Sequence, residues 1–169
     1  MDYRRQWQAG GCYFFTHTLL NRSETLLTDH IALLRQAFRQ VKKRYPFVIH
    51  AMVVLPDHFH CLIELPEGDA DYSLRFRLIK MNFSRALTGS EFRTECRIRR
   101  RERGIWQRRY WEHLIRNPQD FANHLNYIHW NPVKHQLVKT VQEWPHSSFH
   151  RYVAMGWYPQ NWLMEQQGF

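Results

Sequence analysis

Two short stretches hold the side chains best suited to chemistry. LPDHFHCLIEL (55–65) places His58 and His60 two apart in a segment that reads as a strand. Alternate residues of a strand share a face, so the two imidazoles project one way while Phe59, Cys61 and Ile63 project the other. Paired imidazoles are half of a metal site, or else strand histidines satisfied by a polar edge or by backbone hydrogen bonds. The second stretch, HLNYIHWN (124–131), reads as helix and carries His124, Tyr127 and Asn131 along one edge. Tyr127 and Asn131, four apart, stand on neighbouring turns. If this edge faces the histidine pair, one small cavity receives two imidazoles, an amide oxygen and a phenol. A divalent ion held by His58, His60 and the Asn131 carbonyl oxygen keeps positions open for a phosphate oxygen and polarises the phosphorus. Tyr127 is then a candidate nucleophile forming a covalent phosphotyrosyl bond. A phenol with a pKa of about 10 needs help to attack at neutral pH. The cation's field supplies some, and His124 or a bound water is a candidate proton acceptor. Each residue alone has an ordinary explanation, such as a half-buried helix tyrosine or a helix-end asparagine before proline. A structural zinc site competes for the histidines, but zinc prefers four His or Cys ligands and Cys61 faces away from the pair.

The elements that must bring these stretches together are legible in outline. CYFFTHTLL (12–20) reads as a first strand after Gly10-Gly11. Ile31, Leu34, Ala37, Phe38 and Val41 recur at helical spacing between about Thr28 and Arg44, with Thr28 or Asp29 as cap and Pro46 as stop. FVIHAMVVL (47–55) and HFHCLIEL (58–65) follow as two strands joined by a tight hairpin at Leu55-Pro56-Asp57. Residues 73–88 predict a second helix, the run from about Thr88 to Arg103 a loop or frayed helix, and WQRRYWEHLI (106–115) a fourth strand. Asn117-Pro118 opens a third helix through an Asn cap and a first-turn proline. Phe121, Leu125 and Ile128 form its sheet-facing stripe. Pro132 predicts its end near Asn131. A short helix is expected around Ser147–Met155. The order implies an α+β fold, a mainly antiparallel sheet of about four to five strands with helices packed on it. One domain over 1–169 with a short C-terminal tail accounts for the whole chain.

Composition narrows the partner. Lys and Arg number 24 against 15 Asp and Glu, a formal charge of +9, which favours a polyanion. Arginines crowd RIRRRERGIWQRRYW (97–111), and guanidinium groups offer paired donors to phosphate oxygens. Aromatic residues make up 15% of the chain and offer surfaces on which unpaired bases stack. No apolar run is long enough to span a bilayer, no secretion signal opens the chain, and three cysteines without a CxxC pair predict reduced thiols in a cytoplasmic protein.

LPDHFHCLIEL, WQRRYWEHLIRN (106–117) and NYIHWNPVKH (126–135) together resemble the REP-associated tyrosine transposases, which belong to the single-tyrosine HUH endonucleases. The resemblance extends from YRRQWQAGGCYFFT to WPHSSFHRYV. It implies a ferredoxin-like HUH core in which Tyr127 cleaves single-stranded DNA and becomes joined to the 5′ side of the cut, leaving a 3′-hydroxyl. By the same resemblance His58, His60 and Asn131 bind Mg²⁺ or Mn²⁺, and the substrate is a REP-type hairpin with an unpaired foot. Contacts to that DNA are expected from Tyr3, Arg4, Arg5, Arg108, Arg109, Lys134 and His135, with the protein acting as a monomer. Two other functions stay open at this point. One is a hairpin-binding regulator with vestigial chemistry; the other is a replication initiator or relaxase, for whose extra domains the chain has no room.

Overall fold

The computed structural model describes residues 7–89, 94–101 and 103–163; Tyr3, Arg4 and Arg5 lie outside them. Four strands, β1 (Cys12–Thr18), β2 (Val48–Val54), β3 (His58–Glu64) and β4 (Trp111–Leu114), form one antiparallel sheet in the order β2-β3-β1-β4. β3 is central and buried along all but its last residue. That is why it reads as an unbroken apolar run rather than an alternation.

Helices cover both faces. On one lie α2 (Ile31–Arg44) and α3 (Tyr72–Ala86), over Tyr13, Phe15, Phe59, Cys61 and Ile63. On the other lies α5 (Pro118–Lys134), whose Leu125 and Ile128 pack on Phe14, Ala51, Val53 and Leu62. Burial of each such side chain is worth about 1.5–3 kcal/mol, so the stripe fixes which edge of α5 meets the sheet. The remaining helices are short: α1 (Leu26–Asp29), α4 (Glu95–Arg99) and α6 (Phe149–Ala154). Residues 146–148 lie against the outer edge of β2, through Val54 N–H to His146 O and Ser148 N–H to Met52 O, and shield its backbone groups.

Two helix boundaries differ from expectation, while the arginine-rich run takes one of its two expected forms. The first helix divides at His30 into α1 and α2, so neither Thr28 nor Asp29 caps the long segment. Part of the arginine-rich run is the single helical turn and a bit of α4, ended by Arg101 in a left-handed conformation (φ 56°). Most consequentially, α5 begins as predicted, Asn117 Oδ1 accepting the Asp120 N–H at 2.9 Å, but runs through Pro132 to Lys134. Proline removes one helical donor and crowds the carbonyl four residues back. Pro132 sits buried in the last turn, and His135 N–H closes that turn onto Asn131 O at 3.0 Å. No helix of the described residues is long and apolar enough to cross a membrane.

Candidate active site

Sheet register builds the site's floor. Val53, His60, Thr16 and Trp111 are successive cross-strand partners, and Ala51, Leu62, Phe14 and His113 form the next rung on the same face. Thr18 and His58 pair one rung to the other side. This is the face that α5 covers, so the predicted meeting of strand imidazoles and helix phenol takes place. The His58 and His60 rings lie 5.0 Å apart, and the Tyr127 ring is 5.3 Å from that of His60. A cavity of about 630 Å³ opens over them, lined also by Thr18, Arg22, Trp111 and Asn123.

Both imidazoles are held by one nitrogen. His58 Nδ1 meets Asp57 Oδ1 at 2.6 Å, and Asp57 in turn accepts from Arg22 Nε at 2.8 Å. Burial raises the Asp57 pKa, but Arg22 and His58 outweigh it and keep the carboxyl below its ordinary range. His60 Nδ1 meets Thr16 Oγ1 at 2.7 Å. Engaging Nδ1 leaves Nε2 as the outward donor in each ring, the arrangement by which supporting groups orient metal-binding histidines. His60 is pushed down to about 3, first by burial and then by the neighbouring charges of His58 and His135. It stays a neutral imidazole, the form that binds metal.

Asn131 is fully buried in the last turns of α5. Its amide lies near enough to His60 to favour the ring's protonated form, yet among the described residues neither amide atom, nor His60 Nε2, completes a well-formed hydrogen bond. Buried polar atoms without partners are costly and call for an unseen ion or water. Two imidazole nitrogens and an amide oxygen are a donor set that fits a divalent cation, so His58, His60 and Asn131 suit the predicted role.

The other expected residues fall at different distances from this centre. Lys134, kept on α5 by the continuation through Pro132, sets its Nζ 4.6 Å from the centre of the Tyr127 ring. His135 is exposed and its ring lies 5.0 Å from His58. Arg108 and Arg109 are exposed just before β4, Arg108 reaching Cys96 Sγ at 3.6 Å. His124 lines the cavity, but its Nδ1 is directed at Asp120, 2.9 Å from the backbone O and 3.0 Å from Oδ1. Phe14 touches the rings of both His124 and Tyr127.

Sequence reasoning named His124 but missed Thr16, Asp57, His113 and Asp120. Thr16 and Asp57 support the imidazoles. His113, Asp120 and His124 form a third group, their donor atoms all within 4.8 Å of one another. Asp120 there already joins His113 Nε2 at 2.8 Å and the Arg116 N–H at 2.9 Å, tying β4 to α5. Its atoms are satisfied, unlike those of His60 and Asn131, which makes the histidine pair the better cation site. Only the Asp120-His124 spacing of four was visible beforehand.

Known proteins resemble this chain along nearly its whole length. Residues 12–131 match the family described as Transposase IS200 like. The chain is 48% identical over 168 residues to the REP-associated tyrosine transposase of Escherichia coli K12, covering 99% of this chain and 94% of that one. A Haemophilus influenzae relative is 49% identical over 167 residues, covering 95% and 92%. A solved structure described as a REP-associated tyrosine transposase bound to a REP hairpin superposes with a TM-score of 0.87 at 47% identity, covering all of this chain and 94% of that one.

Proposed function

The chain belongs to the IS200-like transposases, among the REP-associated tyrosine transposases, and from that premise we propose that it cleaves and transfers single-stranded DNA at REP-type hairpins through a covalent bond to Tyr127. The observation that carries the reading is the approach of Tyr127 to the His58–His60 pair beneath an open cavity. In the proposed reaction the phenolic oxygen attacks the scissile phosphorus. The P–O3′ bond breaks as the O–P bond forms, and the departing 3′ oxygen takes a proton to become a hydroxyl. The 5′-phosphate remains on Tyr127 until a 3′-hydroxyl attacks it in the reverse sense, transferring the strand.

His58, His60 and Asn131 hold Mg²⁺ or Mn²⁺ in this reading; the bound cation supplies electrostatic stabilisation of charge developing on the phosphoryl oxygens. Lys134 sets its ammonium group 4.6 Å from the centre of the Tyr127 ring, a fixed cation beside the proposed nucleophile. His124, anchored by Asp120, and solvent in the cavity are the groups available to receive the phenolic proton. Arg22 and His135, which line the cavity, and Arg108 and Arg109, exposed just before β4, offer cationic or donor groups to the strand's phosphates. The free thiols of Cys12, Cys61 and Cys96 suit a reducing cytoplasm, and the shielded β2 edge suits a monomer.

Incubation with labelled REP-type hairpin DNA and Mn²⁺ tests the reading through a protein–DNA band that survives denaturation. Tyr127→Phe is expected to lose that band and retain hairpin binding. Undiminished cleavage by the variant refutes the nucleophile assignment.

A further inference from the structure

A second cavity, of about 360 Å³, lies on the other face of the sheet from Tyr127, between α2 and the outer edge of β2. Strand alternation, reset by the bulge between Ile49 and Ala51, turns Ile49, Met52 and Val54 towards α2, while Ala51 and Val53 face α5. With Phe38 of α2, those three side chains give the cavity an apolar wall. Its charged lining is Arg35, Arg39 and Lys42 from α2 and Arg151 from α6; among the described residues no Asp or Glu joins them. A solvated helix face is the ordinary account of such charges, and it covers part of them. Lys42 stands with Lys43 and Arg44 in the last turn of α2, where cations suit the helix dipole. Arg35 and Arg39 lie outside that turn. Four residues apart, they are neighbours of like sign about 6 Å apart along the axis, an unfavourable pairing. The helix has no acidic residue to offset it. Burial, and then the Arg35 charge, hold His146 of the cavity lining below its ordinary pKa, so the guanidinium's field reaches that residue as well. Arg151 is pinned at the bulge, its Nη2 donating to the carbonyls of Ile49 and His50.

We propose that this cavity binds a free nucleoside monophosphate, its phosphate held by Arg35 and Arg39 and its base set against the apolar wall of Phe38 and Met52. Guanidinium groups match phosphate oxygens with paired donors, and a concave apolar wall with a few charged groups is the usual make-up of a small-molecule site. Inorganic phosphate leaves the wall bare. A DNA backbone lying on the cationic rim leaves the cavity unfilled. One nucleotide satisfies both parts. Because α2 and α5 cover opposite faces of the sheet, the site is separate from His58, His60 and Tyr127 and does not rest on the cleavage reading.

The test is calorimetric titration of the full chain with each of the four deoxynucleoside monophosphates, without divalent metal. At least one is expected to bind at one equivalent, with its own nucleoside and inorganic phosphate each about 10-fold weaker or more. Arg35→Gln and Arg39→Gln, both at exposed positions, should each weaken it about 10-fold, whereas Arg116→Gln, exposed beside the start of α5, should not. Thermal unfolding adds a readout that a merely structural arginine would not give. Arg39→Gln, relieved of the Arg35 repulsion, should melt no lower than the unaltered protein, yet lose the rise in Tm that the nucleotide produces. Saturating unstructured oligonucleotide should leave the nucleotide bound. Displacement by that oligonucleotide gives the groove to DNA and overturns the proposal. So does an equal loss in Arg116→Gln, or equal affinity for phosphate alone, since either reduces the effect to general charge. Absence of binding by all four nucleotides, or a Tm rise that persists in Arg39→Gln, also overturns it.

Discussion

Thr16 shows how much of a site can rest on one hydroxyl. It touches His60 only because β1 pairs with β3 in a register that aligns residues 44 apart. Nothing local to YFFTHT marks it, so the residue was invisible in the sequence, whereas the His58–His60 pair and Tyr127–Asn131 were legible because strand alternation and helical pitch act over a few residues. Removing the hydroxyl with Thr16→Val keeps the side chain's shape and frees the ring. Supporting groups of this kind commonly change metal affinity 10- to 100-fold, so a loss of about that size is expected. Mn²⁺ titration by calorimetry reads it directly, and Thr16→Ser should restore most of the affinity. An unchanged midpoint in Thr16→Val assigns the contact to packing alone.

Strand β1 is the clearest case of an element serving two purposes. Thr16 faces the cavity, and His17, the next residue, faces the opposite core between Phe59, Phe76 and Tyr110. The imidazole type alone could not separate a core histidine from a ligand; the face it occupies does. His17 is fully buried, and among the described residues neither ring nitrogen has a hydrogen-bond partner. Burial, reinforced by the nearby Lys80 charge, pushes its pKa well below 6.5. The unfolded chain therefore takes up a proton on acidification that the folded chain refuses, so His17 lowers stability as pH falls below 6.5 and has no such effect well above it. His17→Leu removes the term. Between about pH 7.5 and 5.5 the unfolding free energy should shift by about 1.4 kcal/mol in the variant's favour, measured by urea denaturation. Parallel pH profiles for the two proteins rule this out. The α5 helix gives the complementary lesson. Its cap and apolar stripe were readable, but its passage through Pro132 depends on burial supplied by the rest of the fold, and with it the placement of Lys134 over Tyr127.

Across the whole molecule, charge and aromatic surface divide the work of binding. Twenty-four Lys and Arg against 15 Asp and Glu favour a polyanionic partner, but long-range attraction does not distinguish one hairpin from another. Discrimination needs contacts that ignore salt, made to base edges and base faces. Hairpin affinity should therefore fall steeply with salt, the logarithmic slope counting phosphate contacts at about 0.9 each on duplex and 0.7 on single strand. Arg108→Ala and Arg109→Ala, whose side chains are exposed beside β4, should each reduce the slope by about 1 and weaken unrelated hairpins equally. Fluorescence anisotropy over a salt series measures the slope for each protein. A flat response in the unaltered protein would remove the basic surface from the DNA interface, and a slope unchanged in both arginine variants would place the phosphate contacts elsewhere on the chain.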